Sequence, residues 1–150
     1  MPFPYLANDY NEVMSRVSPD GRWLAYQSDR TGRYEVWVDT FTGAPSATSA
    51  PARGSWLISA NGGTRPVWSR DGKQLFFIGA DRKMMVADVS GGNGAKFEFS
   101  TPKPLFDSRI SGSPFDAYDV SKDGRFLMPV QTQRASSPIT VLVNWAAGLK

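Results

Sequence analysis

The fold of this chain is decided by the stretch "SPDGRWLAY" (residues 18–26), because close variants of it occur twice more. These variants are "SRDGKQLFF" (residues 69–77) and "SKDGRFLMP" (residues 121–129). Their first residues, Ser18, Ser69 and Ser121, are separated by 51 and 52 residues. A period this regular indicates a repeated supersecondary unit rather than three independent loops.

Each copy has the same local pattern, in which Ser-x-Asp-Gly separates a short apolar lead-in from a β-rich run. Asp-Gly is a strong signal for a tight turn between two strands, because glycine accepts positive φ and aspartate bonds to its own backbone. The runs that follow are almost continuously apolar, which indicates strands covered on both faces. They are residues 23–28, 75–80 and 126–131. The sixth residue after each serine is a leucine, and we predict that all three lie in the core between sheets: Leu24, Leu75 and Leu127.

The remaining segments complete the repeat. Third strands are predicted at residues 34–41, 83–90 and 139–145, weaker outer strands at 55–60 and 103–108, and exposed loops at 43–54 and 90–100. No segment predicts a helix. We therefore predict an all-β fold, a β-propeller with three four-stranded blades. Residues 1–8 would be the outer strand of a preceding blade, followed by blade one (9–60), blade two (61–108) and an incomplete blade three (109–150).

Composition excludes several classes of function. The 150 residues contain no cysteine and no histidine, which rules out thiolate nucleophiles, disulfides, the usual zinc sites and histidine-based triads. We predict no catalytic site, no cofactor and no metal. The formal charge of +3 comes from scattered basic residues, so nucleic-acid binding is not expected. The sequence also lacks an 18-residue apolar run, so we expect no membrane insertion by this chain.

Three longer segments carry a family resemblance: "SPDGRWLAYQSDRTGRYEVWV" (residues 18–38), "NGGTRPVWSRDGKQLFF" (61–77) and "SSPITVLVNWAAGLK" (136–150). The chain resembles the TolB-like (WD-repeat-like) propellers, in particular the C-terminal half of those attached to bacterial serine/threonine kinases. The resemblance implies a six-bladed ring, a periplasmic or extracytoplasmic location, and a non-catalytic module that binds a protein, peptide or small ligand. The alternative is the C-terminal sensor or gating portion of a larger enzyme, a membrane-anchored kinase or a propeller-containing peptidase.

The two ends of the chain suggest how a ring could close. Residues 4–8 ("PYLAN") correspond to residues 57–61 ("LISAN"), and the last unit stops after its third strand. Three blades are too few for a ring, since propellers usually have about four to eight. The hypothesis is a homodimer by strand exchange, in which each N-terminal strand completes the partner's last blade. A truncated chain or an open three-blade arc is the competing interpretation.

Candidate binding residues lie in and before the innermost strands, whose loops would converge on a central channel. They are Asn8, Asp9, Tyr10, Asn11, Glu12, Arg16, Arg65 and Asp119. Arg16 and Asp119 occupy equivalent positions and could form a structural ion pair or part of a ligand site. The repeated aspartates, Asp20, Asp71 and Asp123, are interpreted as turn formers rather than as a cation site.

Overall fold

The computed structural model describes residues 5–6, 9–41, 54–91, 96–110 and 117–129. In these parts of the chain every regular element is a β-strand. The strands are β1 (Glu12–Val17), β2 (Trp23–Ser28), β3 (Glu35–Thr40), β4 (Ser55–Leu57), β5 (Gly63–Trp68), β6 (Gln74–Gly79), β7 (Lys83–Ser90), β8 (Glu98–Phe99), β9 (Lys103–Asp107), β10 (Asp119–Val120) and β11 (Phe126–Leu127). The predicted all-β class is confirmed.

The strands form three antiparallel sheets in chain order. The first sheet has the order β1-β2-β3-β4. In the second sheet β5, β6 and β7 follow one another, and β7 then pairs with β9 along its first half and with β8 at its end. The third sheet consists of β10 and β11. Each sheet therefore begins with a hairpin that contains one copy of the repeated motif.

The Asp-Gly turns have the predicted structure in all three hairpins. In each turn the serine hydroxyl donates to the aspartate Oδ1 at 2.5–2.7 Å, and the glycine N–H donates to the serine carbonyl at 2.8–3.0 Å. The glycines have φ values of 73°, 71° and 79°, a conformation that residues with a Cβ atom rarely adopt. These glycines are Gly21, Gly72 and Gly124.

The same hydrogen bonds set the acidity of the turn aspartates. The Ser69 hydroxyl lowers the pKa of Asp71, and the Ser121 hydroxyl lowers the pKa of Asp123. A carboxyl whose pKa is lower in the folded state stabilises the fold above its ordinary pKa of about 3.9. This contribution is lost as the pH falls through the lowered pKa, so the turns are weakened by strong acid and unaffected near neutral pH.

Two hydrophobic cores lie between the three sheets, one at each junction. The first core lies between the first and second sheets, and its buried members are Trp23, Ala25, Val36, Val38, Ile58, Trp68, Leu75, Phe77, Ala87 and Phe97. The second core lies between the second and third sheets, and its buried members are Val67, Phe76, Ile78, Met84, Ile110, Tyr118 and Val120. Since a strand sends alternate side chains to opposite faces, β6 supplies both cores. This explains why its sequence is apolar without alternation.

The prediction that three leucines lie in the core between sheets is confirmed at Leu75, holds only for burial at Leu24, and is wrong at Leu127. Leu75 is fully buried in the first core. Leu24 is also buried, although it lies on the face of the first sheet that is turned away from the second sheet. Leu127, in contrast, is 79% exposed.

The exposure of Leu127 comes from a change of register in the third hairpin. In the second hairpin the residue before the serine, Trp68, pairs with Leu75, and the first hairpin has the same register. In the third hairpin the equivalent residue, Val120, pairs with Phe126 instead. A shift of one residue moves every side chain of a strand to the other face. Phe126 therefore packs against the second core and Leu127 points away from it.

The predicted loop at residues 90–100 is corrected in its second half. Phe97 is 2% exposed, and the residues after it form β8 against the end of β7. Its ring centroid lies 4.9 Å from those of Trp23 and Trp56, which themselves are 5.7 Å apart. Phe97 lies in a glycine-rich segment and is buried because its ring fills the end of the first core.

Other predicted segments are described only in part. The predicted outer strands correspond to β4 and β9, each shorter than expected. The predicted strand at 139–145 and all but the last residue of the loop at 43–54 lie outside the described residues. Of residues 4–8 the structure describes Tyr5 and Leu6, neither of which is in a strand. The Tyr5 hydroxyl donates to the Thr40 carbonyl at 2.7 Å, at the end of β3.

Candidate functional site

The first strands of the three sheets, β1, β5 and β10, are joined by hydrogen bonds between neighbouring sheets. The Trp68 indole N–H donates to the Arg16 carbonyl at 3.0 Å, as expected for a core tryptophan that needs an acceptor. Arg70 Nε donates to the Val120 carbonyl at 3.2 Å. These contacts place the second sheet between its two neighbours and bring candidate residues from three repeats close together.

A β-bulge recurs at the same place in β1 and β5. The pairing register shifts between Val13 and Arg16 in β1, and between Thr64 and Val67 in β5. In each bulge one non-glycine residue has positive φ, which is uncommon outside strained or functional positions. These residues, Met14 (φ 56°) and Arg65 (φ 55°), are 51 residues apart. Because bulges re-aim side chains, they redirect the side chains in the middle of β1 and β5.

The backbone of Arg65 is held from both sides. Its N–H donates to the side-chain oxygen of Gln27 at 2.9 Å, and its carbonyl accepts from the Tyr118 hydroxyl at 3.0 Å. Gln27 belongs to the first sheet and Tyr118 precedes the third, and both are buried. The strained conformation of Arg65 is therefore maintained by side chains from the two neighbouring sheets.

A cleft of about 830 Å³ opens where these strands meet, and a narrower one of about 20 Å³ continues it between the bulges. We call the two together the inner-strand cleft. Its lining includes Met14, Arg16, Arg65, Ala117, Tyr118 and Asp119. The narrow part contains three residues that are equivalent by the 51- and 52-residue period, namely Met14, Arg65 and Ala117.

The charged groups of the inner-strand cleft differ in whether another side chain neutralises them. Asp119 forms an ion pair with Arg70 at 3.1 Å, in which both side chains are exposed. The predicted alternative of a pair between Arg16 and Asp119 is therefore wrong, and the Arg16 guanidinium instead donates to the Ser15 carbonyl at 3.0 Å. The guanidinium of Arg16 thus lies beside the cleft without neutralising Asp119.

Tyr118 serves as a structural hydrogen-bond donor in this cleft. Burial raises the pKa of its phenol above the ordinary range, although the positive charges of Arg65 and Arg16 act to lower that pKa. The phenol therefore keeps its proton near neutral pH. It holds the bulge of β5 rather than exchanging protons with a ligand.

The predicted residues 9–12 lie at or just before the start of β1 and are not among the residues that line the cleft. Asn8 is outside the described residues, and Asp9 and Tyr10 are exposed. Asn11 donates from its backbone and its side-chain amide to the two carboxylate oxygens of Asp29, at 3.0 and 2.6 Å. These bonds lower the pKa of Asp29 and tie β1 to the end of β2. Glu12 begins β1 and is half-buried.

Met14, Ala117 and Tyr118 are among the lining residues that the sequence prediction missed. Met14 and Ala117 could have been found by applying the period to Arg65, since they are its equivalents. Tyr118 carries no comparable signal, because its role depends on a contact with the carbonyl of Arg65. Contacts of this kind follow from packing between sheets that are distant in sequence.

The chain matches no protein-family model and no curated protein sequence. The resemblance to TolB-like propellers therefore rests on its sequence motifs. Within the described ranges, no three histidine, cysteine, aspartate or glutamate residues are grouped so that they could hold a metal ion. The same ranges contain no helix of the length and hydrophobicity needed to span a membrane.

Proposed function

We propose that the chain is a non-catalytic binding module in which the sheets are consecutive blades of a TolB-type β-propeller. The observation that carries this proposal is the convergence of equivalent residues from three repeats, Met14, Arg65 and Ala117, on one cleft. In a propeller the innermost strands of all blades surround a central channel, so equivalent positions face the same space. The ligand, a protein, peptide or small molecule, would be held at the inner-strand cleft.

The chemistry of the cleft supports binding rather than catalysis. A catalytic centre needs a nucleophile or an acid–base pair within hydrogen-bonding distance of each other. The sequence has no histidine or cysteine to fill either role. Tyr118 is occupied by the carbonyl of Arg65, and the Asp119 carboxylate is paired with Arg70. Guanidinium groups such as that of Arg16 are suited to hold the carbonyl or carboxylate oxygens of a ligand.

Two exposed residues on the outer face of the first sheet, where Leu24 and Tyr26 are already buried, support closure of a ring by a second copy. Val17 and Leu57 lie on this face and are 45% and 39% exposed. The residue equivalent to Val17 in the second sheet is Trp68, which is buried against the first sheet. At the other end Leu127 points away from the second core and is exposed. We propose that the first sheet of each copy packs on the third sheet of its partner and that each N-terminal strand completes the partner's last blade, giving six blades. The extracytoplasmic location remains part of this proposal through the family resemblance.

Light scattering after size exclusion tests the ring. At micromolar concentration we expect a species of twice the 16.5 kDa chain mass. Val17→Asp places a charge on the proposed contact and should convert the dimer into a monomer, because an unpaired charge is costly in a buried interface. Leu105→Asp is the control, since Leu105 is 47% exposed on the outermost strand and should leave the dimer intact. A folded wild-type monomer would refute the ring.

Peptide selection tests the binding site. Peptides enriched from a random display library on the immobilised wild-type protein should lose at least about tenfold in affinity on Arg16→Ala, equivalent to about 1.4 kcal/mol. Arg22→Ala is the control, because Arg22 lies on the first Asp-Gly turn, paired with Asp20. Affinities would be measured by calorimetry on synthetic peptides. Peptides that bind both variants as tightly as wild type would place binding elsewhere.

A further inference from the structure

A second concave site, separate from the inner-strand cleft, lies at a corner between the first and second sheets. It has a volume of about 430 Å³, within the range of small-ligand pockets. Its floor comes from the second sheet and its opposite wall from the connection between β4 and β5. The lining residues that matter here are Ala60, Gly62, Phe77, Gly79, Met85 and Pro104, and we call this site the corner groove.

The corner groove exists because small residues stand where the neighbouring positions carry large ones. Gly79 follows Phe77 by two residues on β6, so the two positions share the face of the first core. A Cβ at Gly79 would lie 3.1 Å from Asp81 Oδ1 and 3.2 Å from Met85 Cγ. Met85 and Asp81 therefore pack directly against Gly79, and a side chain there would displace Met85 from the floor of the groove. On the opposite wall Gly62 packs so closely on Ala80 that a Cβ would lie 2.9 Å from it.

The two charged side chains at the mouth of the groove, Asp81 and Lys83, form an ion pair with each other. The Lys83 ammonium lies 3.1 Å from the Asp81 carboxylate, and this pairing lowers the pKa of Asp81 and raises that of Lys83. The other polar side chains at the mouth, Asn61 and Thr101, are neutral. A ligand with a net charge would therefore find no unpaired counter-charge among these residues, and a neutral ligand fits better.

The chemistry of the floor favours an aromatic ring. Met85 presents a thioether, which makes favourable contacts with aromatic rings. Pro104 pairs with Met85 across β7 and β9 and adds a flat apolar surface beside it, above the buried ring of Phe77. We propose that the corner groove binds an uncharged aromatic ring, either as a small compound or as an aromatic side chain of a peptide. This site is independent of ring closure and of the inner-strand cleft.

Methionine methyl NMR tests this proposal with indole as the probe. A ring seated on Met85 should shift its ¹³C-methyl proton signal upfield in a saturable manner. Met84 is the internal control, because it is fully buried in the second core on the opposite face of β7 and should not move. Cyclohexanol, which is apolar but not aromatic, should produce no comparable shift. If indole leaves the Met85 signal unchanged, or moves Met84 equally, the proposal is wrong.

Two further measurements test where the aromatic ring binds and whether it belongs to a peptide or to a small compound. Gly79→Ala and Gly79→Val fill the floor progressively and should weaken indole binding by about fivefold or more, the valine more than the alanine. Gln74→Val, at the other end of β6, should leave the affinity unchanged. If the valine variant does not fold, the alanine variant decides, and unaltered binding by a folded Gly79 variant overturns the proposal. Binding of N-acetyltryptophanamide as well as indole would indicate a peptide side chain, and binding of indole alone a small compound.

Discussion

Leu75→Ala is expected to lower the free energy of unfolding by about 2–5 kcal/mol, the usual cost of removing a buried leucine side chain. Leu75 is fully buried between the first and second sheets, where neighbouring large side chains leave little room for collapse. The cost combines lost burial with the cavity that remains. Urea denaturation followed by circular dichroism measures it, and the size of the loss reports how tightly the two sheets pack.

Leu127→Ala is the matched control, because Leu127 occupies the same place in the repeat. Its side chain is 79% exposed as a result of the shifted register, so we expect a change within about 0.5 kcal/mol. Equal losses for the two variants would show that the third hairpin has the register of the other two. The pair of variants therefore tests the shifted register of the third hairpin.

Glu35→Ala is expected to cost about 2–5 kcal/mol, because it removes the acceptor of a buried hydrogen-bond network. The Glu35 side chain is 2% exposed. Both of its carboxylate oxygens accept from the Gly62 N–H at 2.9 Å, and one also accepts from the Ser59 hydroxyl. Alanine would leave these donors without a partner. The bond from Arg33 contributes less, since Arg33 is 59% exposed and solvated.

Two further variants distinguish loss of these hydrogen bonds from loss of a negative charge. Glu35→Gln keeps the shape and an acceptor oxygen, so it should cost about 1–2 kcal/mol, less than alanine. Glu98→Ala removes an exposed glutamate from β8 and should change stability by no more than about 0.5 kcal/mol. Equal losses for Glu35→Ala and Glu98→Ala, measured by thermal and urea unfolding, would contradict a structural role for the buried carboxylate.

The hydrogen bonds of Glu35 also hold segments that form the corner groove and lead into the inner-strand cleft. Ser59 and Gly62 belong to the connection between β4 and β5, which forms one wall of the corner groove. The same connection leads into β5, which carries the bulge at Arg65. Loss of the carboxylate should therefore increase the mobility of this wall of the corner groove and of the start of β5. It should also lower the free energy of unfolding.

Local features of the fold could be predicted well from the sequence. The three Asp-Gly turns depend on interactions within a few residues, such as the bond between Ser69 and Asp71. The all-β class and the apolar character of β2 and β6 also follow from residue type and run length. These predictions are confirmed because the physical causes lie inside the segments themselves.

The candidate site could be predicted only in part. Arg16, Arg65 and Asp119 were selected as charged residues in innermost strands, and the structure brings all three to the inner-strand cleft. The group at residues 9–12 stays at the other end of β1, where Asn11 binds Asp29. The partner of Asp119, Arg70, was missed because it belongs to another hairpin.

The repeat, the turns and the strands that flank them can be predicted from the sequence alone, since these depend on short-range backbone and side-chain preferences. Three features became known from the three-dimensional arrangement: the register of the third hairpin, the burial of Phe97, and the hydrogen bonds with Gln27 and Tyr118 that hold Arg65. Each of these depends on packing or hydrogen bonds between segments far apart in the chain. Such contacts select one pairing among several with similar local preference, so a residue pattern read along the chain does not distinguish them.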